Sequence, residues 1–273
     1  MKLIKPSVEW LPQEPTLEGA KKIIEIAGRT CYKSEHLITE ESSEKFYNRM
    51  LNYDHGSVLE HGTIYLALPV ETLIPVSANR WYKYHINPFS SDPVLTEING
   101  ERKVAVTTNL RVIIENEWQE DLQYICEPSK YHDKRYTFRI ISSRIISQQF
   151  TRHRVMSPSQ ESQRYCNYSK GKFNNEIQFL YPIWYENCTK KAIQLYTAHM
   201  IHTEKTYFGL LKEGLLAEDA RDALINGVKT EFVYTGFKSD FIGNFHKLRS
   251  HKSAQKLIRL QEKEIYDIIQ SDN

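Results

Sequence analysis

The sequence predicts a mixed helix-and-strand globular fold of one or two domains. Three observations carry this. Of 273 residues, 40% are hydrophobic and 26% charged, the balance of a soluble globular chain long enough to bury a sizeable core. Apolar residues recur at both periods, alternating in some stretches and helically spaced in others. Asn99-Gly100 lies between two alternating runs, a strong hairpin signal. The net charge of +2, with no long basic stripe, counts against a nucleic-acid-binding module. Cys31, Cys126, Cys166 and Cys188 are scattered with no C-x-x-C pair, which argues against a zinc site or a disulfide scaffold. No apolar run approaches the roughly 20 residues that span a bilayer. Residues 1–6 hold no long apolar signal segment, so a reducing cytoplasm is the expected compartment.

Taken in order, Lys2–Ile4 and Val8–Leu11 read as strand, with Pro12 and Pro15 marking a turn. Leu17–Gly28 has helical spacing, with Ala20, Ile23, Ile24 and Ala27 on one face, and Arg29–Tyr32 ends it. Thr39–Asn52 is a helix capped by Thr39 or Ser42. Thr63–Val70 alternates as a strand, and Val94–Ile98 and Val104–Thr107 flank the hairpin turn. Asn109 caps a helix from Leu110 to about Ile125, with a stripe of Leu110, Ile113, Ile114, Trp118, Leu122 and Ile125. Tyr136–Ile140 is a strand. Ser142 or Ser143 then caps a helix through Arg154, which puts Gln149 and Arg152 on one face. Phe179–Pro182 is a short extended segment, and a long helix from about Asn187 to Lys212 stops at Gly214. Ala217–Arg221 opens another helix, Thr230–Tyr234 is a strand, and about Ser253–Ile269 is an amphipathic last helix.

The chemistry concentrates in Arg152–Tyr165. Arg152-His153-Arg154, followed by Ser162-x-Arg164-Tyr165, offers guanidiniums whose planar, permanently charged forks match phosphate oxygens. A second polar cluster is His55-Gly56-Ser57-Val58-Leu59-Glu60-His61. Its histidines do not stand at i, i+4, so no metal site is expected there. Thr107-x-Asn109-x-Arg111 reads as a capped helix start bearing an exposed arginine.

Arg-His-Arg, seven residues, then Ser-x-Arg-Tyr resembles the signature of the flavin-dependent thymidylate synthases. Further stretches resemble that family in the right order: Ala27–Tyr32, His55-x-Ser57-x-x-Glu60-His61, Glu218-x-Ala220-Arg221 and Asn244-Phe245-x-x-Leu248-Arg249. Two departures stand out. Thr235–Phe241 lacks the asparagine and arginine of the family's Thr-x-Asn-x-Arg flavin segment, and Ser253-Ala254-Gln255 replaces His-Ala-Gln. Thr107-x-Asn109-x-Arg111 resembles that flavin segment but stands far from its usual place near the C-terminus, and the capped-helix reading is favoured there. Residues of about 71–135 intervene where the family has a short link, and read as an inserted hairpin and helix.

The resemblance implies an α+β fold, a mainly antiparallel sheet with packed helices, in one domain over residues 1–273. It implies reductive methylation of dUMP to dTMP, with methylenetetrahydrofolate as carbon donor and FAD, reduced by NADPH, as hydride carrier. No side chain supplies a hydride, and no G-x-G-x-x-G follows a strand, so the flavin would sit outside any Rossmann domain. The cofactor residues it implies are His55, Ser57, Glu60, Arg152, His153, Arg154 and Asn244. For the nucleotide they are Gln149, Arg152, Gln160, Ser162, Arg164, Arg221 and Arg249. The catalytic positions are Arg249, which can stabilise negative charge as C5 becomes nucleophilic, and Ser162. Ser162 is expected to position substrate, because no His-Asp relay is visible beside it. A homotetramer with shared sites is implied, Arg221 and Arg249 completing each site from another chain. The alternative is a flavin- or nucleotide-binding relative with altered catalysis, suggested by the replaced flavin segment.

Overall fold

The computed structural model describes residues 1–53, 55–98 and 100–272; the predicted turn residue Asn99 lies outside them. Its main sheet is antiparallel, in the order β2 (Ser7–Trp10), β6 (Arg135–Ser143), β9 (Lys229–Phe237) and β7 (Ser157–Gln160). A second antiparallel sheet has the order β3 (Thr63–Pro69), β5 (Glu101–Asn109) and β4 (Val94–Ile98). A small parallel pair joins β1 (Lys2–Ile4) to β8 (Gln178–Leu180). The α+β expectation therefore holds, with antiparallel sheets and packed helices.

β9 is buried along its whole length. Alternation explains this: Val233 joins one apolar core, while Phe232 and Tyr234 join another on the opposite face. β7 is not predicted, since Ser-Pro-Ser-Gln has little strand propensity. It forms because β9 offers it a ladder, pairing Ser157 with Thr235 and Gln160 with Phe232. It is an edge strand, where Pro158 is tolerated.

Helix α1 (Leu17–Tyr32) is capped by Thr16, whose hydroxyl accepts from Gly19 N at 3.0 Å. All of its predicted face is buried. It runs past the expected end because Arg29 is held inside: Nε donates to Glu25 Oε1 at 2.6 Å, and the guanidinium lies over Phe46 at 5.1 Å. Lys33 then turns left-handed, with φ of 50°. Helix α2 (Ser42–Asn52) and the single turn α3 (Gly56–Leu59) follow.

The predicted helix from Leu110 to Ile125 is broken. Asn109 caps it as expected, but α4 covers Leu110–Glu115. Asn116 Nδ2 donates to Val112 O at 2.8 Å, Glu117 takes a φ of 60°, and Trp118 N closes onto Ile113 O at 2.8 Å. Trp118 thereby packs on Tyr84, ring centroids 4.9 Å apart.

The helix predicted through Arg154 is also shorter, α5 covering Arg144–Phe150. The Tyr234 hydroxyl donates to Phe150 O at 2.9 Å, capping the end while the chain turns toward β7. Gln149 and Arg152 therefore do not share a helical face. Helix α6 (Lys190–Lys212) is capped by Thr189. The short α7 (Ala217–Ala220) and α8 (His246–Arg249) precede α9 (Lys256–Ser271). Among the described residues, no helix is long and apolar enough to cross a membrane.

Candidate active site

The turn after α5 and the segment running into α8 face each other across a cleft of about 720 Å³, within the usual range for ligand sites. Six predicted residues line it: Gln149, Arg152, His153, Arg154, Asn244 and Arg249. Val155, Met156, Phe245 and Leu248 supply apolar surface. Phe245 anchors the two sides, its ring 5.5 Å from Phe150 and 5.0 Å from His153.

Arg249 Nε donates to His153 Nε2 at 2.9 Å, and Nη2 donates to Gln149 O at 2.7 Å. Arg249 thus joins Arg152–Arg154 within one chain. The packing of Phe245 against α5 brings it there. Burial first, and then the Arg249 charge, push the His153 pKa down to about 4. The ring is neutral at pH 7, with Nε2 accepting and the proton on Nδ1. Burial also holds the Arg249 guanidinium below its ordinary value. Arg152 and Arg154 are exposed, and among the described residues neither has an ion pair or hydrogen bond to its side chain. The cleft therefore offers two uncommitted guanidiniums beside a third. Gln149 Nε2 donates to Gln255 Oε1 at 2.5 Å, tying the cleft to the residue before α9.

A second cleft, of about 590 Å³, lies between the end of α1, the α3 turn and β7. His55, Ser57, Gln160 and Ser162 line it, and no residue lines both clefts. His61 holds this arrangement together. It is fully buried, its Nδ1 2.8 Å from Thr235 Oγ1 and its Nε2 2.9 Å from Ser159 Oγ. Burial, then the Arg135 charge, lower its pKa to about 3. Ser162 N donates to Cys31 O at 2.9 Å, and Ser162 Oγ accepts from Arg164 N at 3.3 Å. Among the described residues no imidazole or carboxylate bonds that hydroxyl. Gln160 lines the cleft, but its Nε2 is turned inward, donating to Ser147 Oγ at 2.6 Å and Thr230 Oγ1 at 2.9 Å. Tyr32 and Tyr165 stand at the cleft with ring centroids 5.3 Å apart.

Three predicted residues line neither cleft. Glu60 accepts from Arg111 Nη1, and its backbone carbonyl accepts from Arg135 Nη1 at 2.9 Å. Arg164 is exposed and meets Glu218 at 3.3 Å, which brings the Ser162 turn to the turn that carries Arg221.

Asp240 and Arg111 also line the clefts, though the sequence reading assigned neither to a site. Asp240 lines the first cleft, its carboxyl raised by burial and by Asp133; no local pattern marks it. Arg111 lines the second cleft, and the Thr107-x-Asn109-x-Arg111 pattern was the signal available for it.

The family model described as thymidylate synthase complementing protein matches residues 15–74 and 129–272. The chain is 37% identical over 126 residues to a flavin-dependent thymidylate synthase of Sulfurisphaera tokodaii, covering 45% of this chain and 46% of the other. To its namesake in Geobacter sulfurreducens it is 34% identical over 125 residues, covering 45% and 51%. To that of Pyrococcus abyssi it is 35% identical over 128 residues, covering 45% and 50%. The chain spans about half the length of the curated relatives it matches.

Proposed function

The chain belongs to the thymidylate synthase complementing protein family, and on that premise we propose that it is a flavin-dependent thymidylate synthase, converting dUMP to dTMP. Methylenetetrahydrofolate is the carbon donor and FAD, reduced by NADPH, the hydride carrier in this reading. The observation that carries it is the first cleft, where Arg249, a neutral His153 and the uncommitted Arg152 and Arg154 converge.

The donor set suits FAD. Arg152 and Arg154 present charged forks to diphosphate oxygens, and Val155, Met156 and Leu248 present apolar surface to a flat ring. FAD bound there would supply the hydride that no side chain can. Arg249 uses two of its five N–H groups internally. Three remain to stabilise negative charge on the pyrimidine as C5 becomes nucleophilic. His153 offers Nδ1–H as a donor, and it cannot take a proton on Nε2 while the Arg249 bond holds.

His55, Ser57 and Glu60 add flavin contacts, and Gln149, Gln160, Ser162, Arg164 and Arg221 hold the nucleotide. The Arg164–Glu218 contact is exposed and weak, so a phosphate dianion can displace it. Because these groups lie apart in one chain, a complete site needs a second copy, and a homotetramer with shared sites satisfies this. Residues 75–128, between the matched stretches, are an insertion in this reading.

A second reading, a flavin- and nucleotide-binding relative with altered catalysis, draws on Asp240. A carboxyl lines the cleft in the stretch where the family's Asn-x-Arg is missing.

The test is chromatographic detection of dTMP from dUMP, methylenetetrahydrofolate and NADPH, with and without FAD. FAD-dependent product supports the synthase. Binding of FAD and dUMP without product favours the altered relative, and failure to bind FAD overturns both.

A further inference from the structure

Residues 75–128 lie outside the stretches matched by the family, yet Arg111 from this segment lines the second cleft. Backbone geometry sets its place. β5 pairs with β3 so that Asn109 stands opposite Thr63. Leu110 N donates to Gly62 O at 2.9 Å, and the Asn109 side chain caps α4 by accepting from Val112 N at 3.1 Å. The first turn of α4 therefore starts directly against the His55–His61 stretch. From there Arg111 Nη1 donates to Glu60 Oε1, and Nε donates to Glu115 Oε1 at 2.7 Å. Gly56 leaves room for this: a Cβ there would sit 2.9 Å from Glu115 Oε1 and 3.5 Å from Arg111 Nε.

We propose that Arg111 is a positioning residue for Glu60, through which the segment outside the family stretches enters the site. The guanidinium, braced by Glu115, holds the Glu60 carboxylate in one orientation beside the cleft of His55, Ser57 and Ser162. The proposal rests on the flavin reading of that stretch. A guanidinium is needed because donors on two different nitrogens reach two carboxylates at once. A lysine ammonium carries its donors on one nitrogen at the end of a flexible stem and lacks the planar fork that fixes the direction of the Glu60 contact. The Arg111 side chain is 37% exposed, so the ion pairs themselves add little to folding. Their consequence lies in the direction Glu60 faces.

A double-mutant cycle on FAD affinity tests this, read by quenching of flavin fluorescence in wild type, Arg111→Gln, Glu60→Gln and the double variant. Arg111→Gln should bind FAD about tenfold more weakly, with a thermal midpoint within about 2 °C of wild type. The double variant should be no weaker than Glu60→Gln alone, because Arg111 acts through Glu60. Arg111→Lys, which keeps the charge should Arg111→Gln fold poorly, should remain several-fold weaker than wild type. Wild-type affinity in Arg111→Gln or Arg111→Lys overturns the proposal and leaves the flavin reading standing. Additive losses in the double variant would make Arg111 a direct ligand contact and overturn the positioning role. A wild-type chain that takes up no FAD overturns the flavin reading, and the proposal with it.

Discussion

His61 has no exposed surface, and both its ring nitrogens are bonded to buried hydroxyls, Thr235 and Ser159. Its pKa of about 3 follows from burial first and the Arg135 charge second. Unfolding returns the imidazole to about 6.5. Between these values the unfolded chain binds more protons than the folded one. The His61 contribution is therefore full above about pH 6.5 and is lost as pH falls toward 3. At about 1.36 kcal/mol per pKa unit, acidification from pH 7 to pH 5 should remove about 2 kcal/mol through this residue. Urea unfolding at pH 7 and pH 5, followed by tryptophan fluorescence at one protein concentration, measures the drop in wild type and in His61→Gln. The variant should lose about 1–3 kcal/mol at pH 7, since a buried hydroxyl loses its partner. It should then lack the acid-dependent drop of about 2 kcal/mol. His153 titrates in both proteins and cancels from the comparison. Equal drops would mean that His61 titrates near its ordinary value, and the neutral imidazole clamp would have to be abandoned.

Other outcomes follow from single contacts. In Arg249→Ala the His153 titration, read by NMR of the ring protons, should move up from about 4 without reaching about 6.5, because burial remains. An unmoved titration would remove Arg249 as a cause. The same variant should form dTMP at least about a hundredfold more slowly, and wild-type turnover would end the role given to that arginine. Gly28→Ala would place a Cβ 2.4 Å from Phe46 Cζ, so thermal unfolding should show a loss of about 1–3 kcal/mol. An unchanged midpoint would mean that Phe46 is not packed there. Asp121 is buried and bonded to Arg80 at 2.6 Å, Lys83 at 2.7 Å and the Tyr84 hydroxyl at 2.7 Å. Asp121→Asn should cost about 2 kcal/mol and speed hydrogen exchange within residues 75–128; unchanged exchange there would show that Asp121 does not organise the segment.

The buried face of α1, the Asn109 cap, the alternation of β3 and the end of α6 near Gly214 were all legible in the chain. Each depends on residues within a turn or two of one another, and that is the range over which side-chain period and capping act. The family signature was legible for the same reason, as fixed spacings along the chain. β7 was not, because its ladder comes from β9 and not from its own Ser-Pro-Ser-Gln. The end of α5 was not, because the hydroxyl that caps it belongs to Tyr234. The stretch Arg152–Tyr165 is continuous in sequence, yet β7 divides it. Arg152–Met156 faces one cleft, and Pro158–Gln160, Ser162 and Tyr165 face the other. The neutrality of His153 and the Arg111–Glu60 contact likewise needed the tertiary structure. Desolvation and pairing depend on which distant groups are brought together, and separation along the chain carries no record of that.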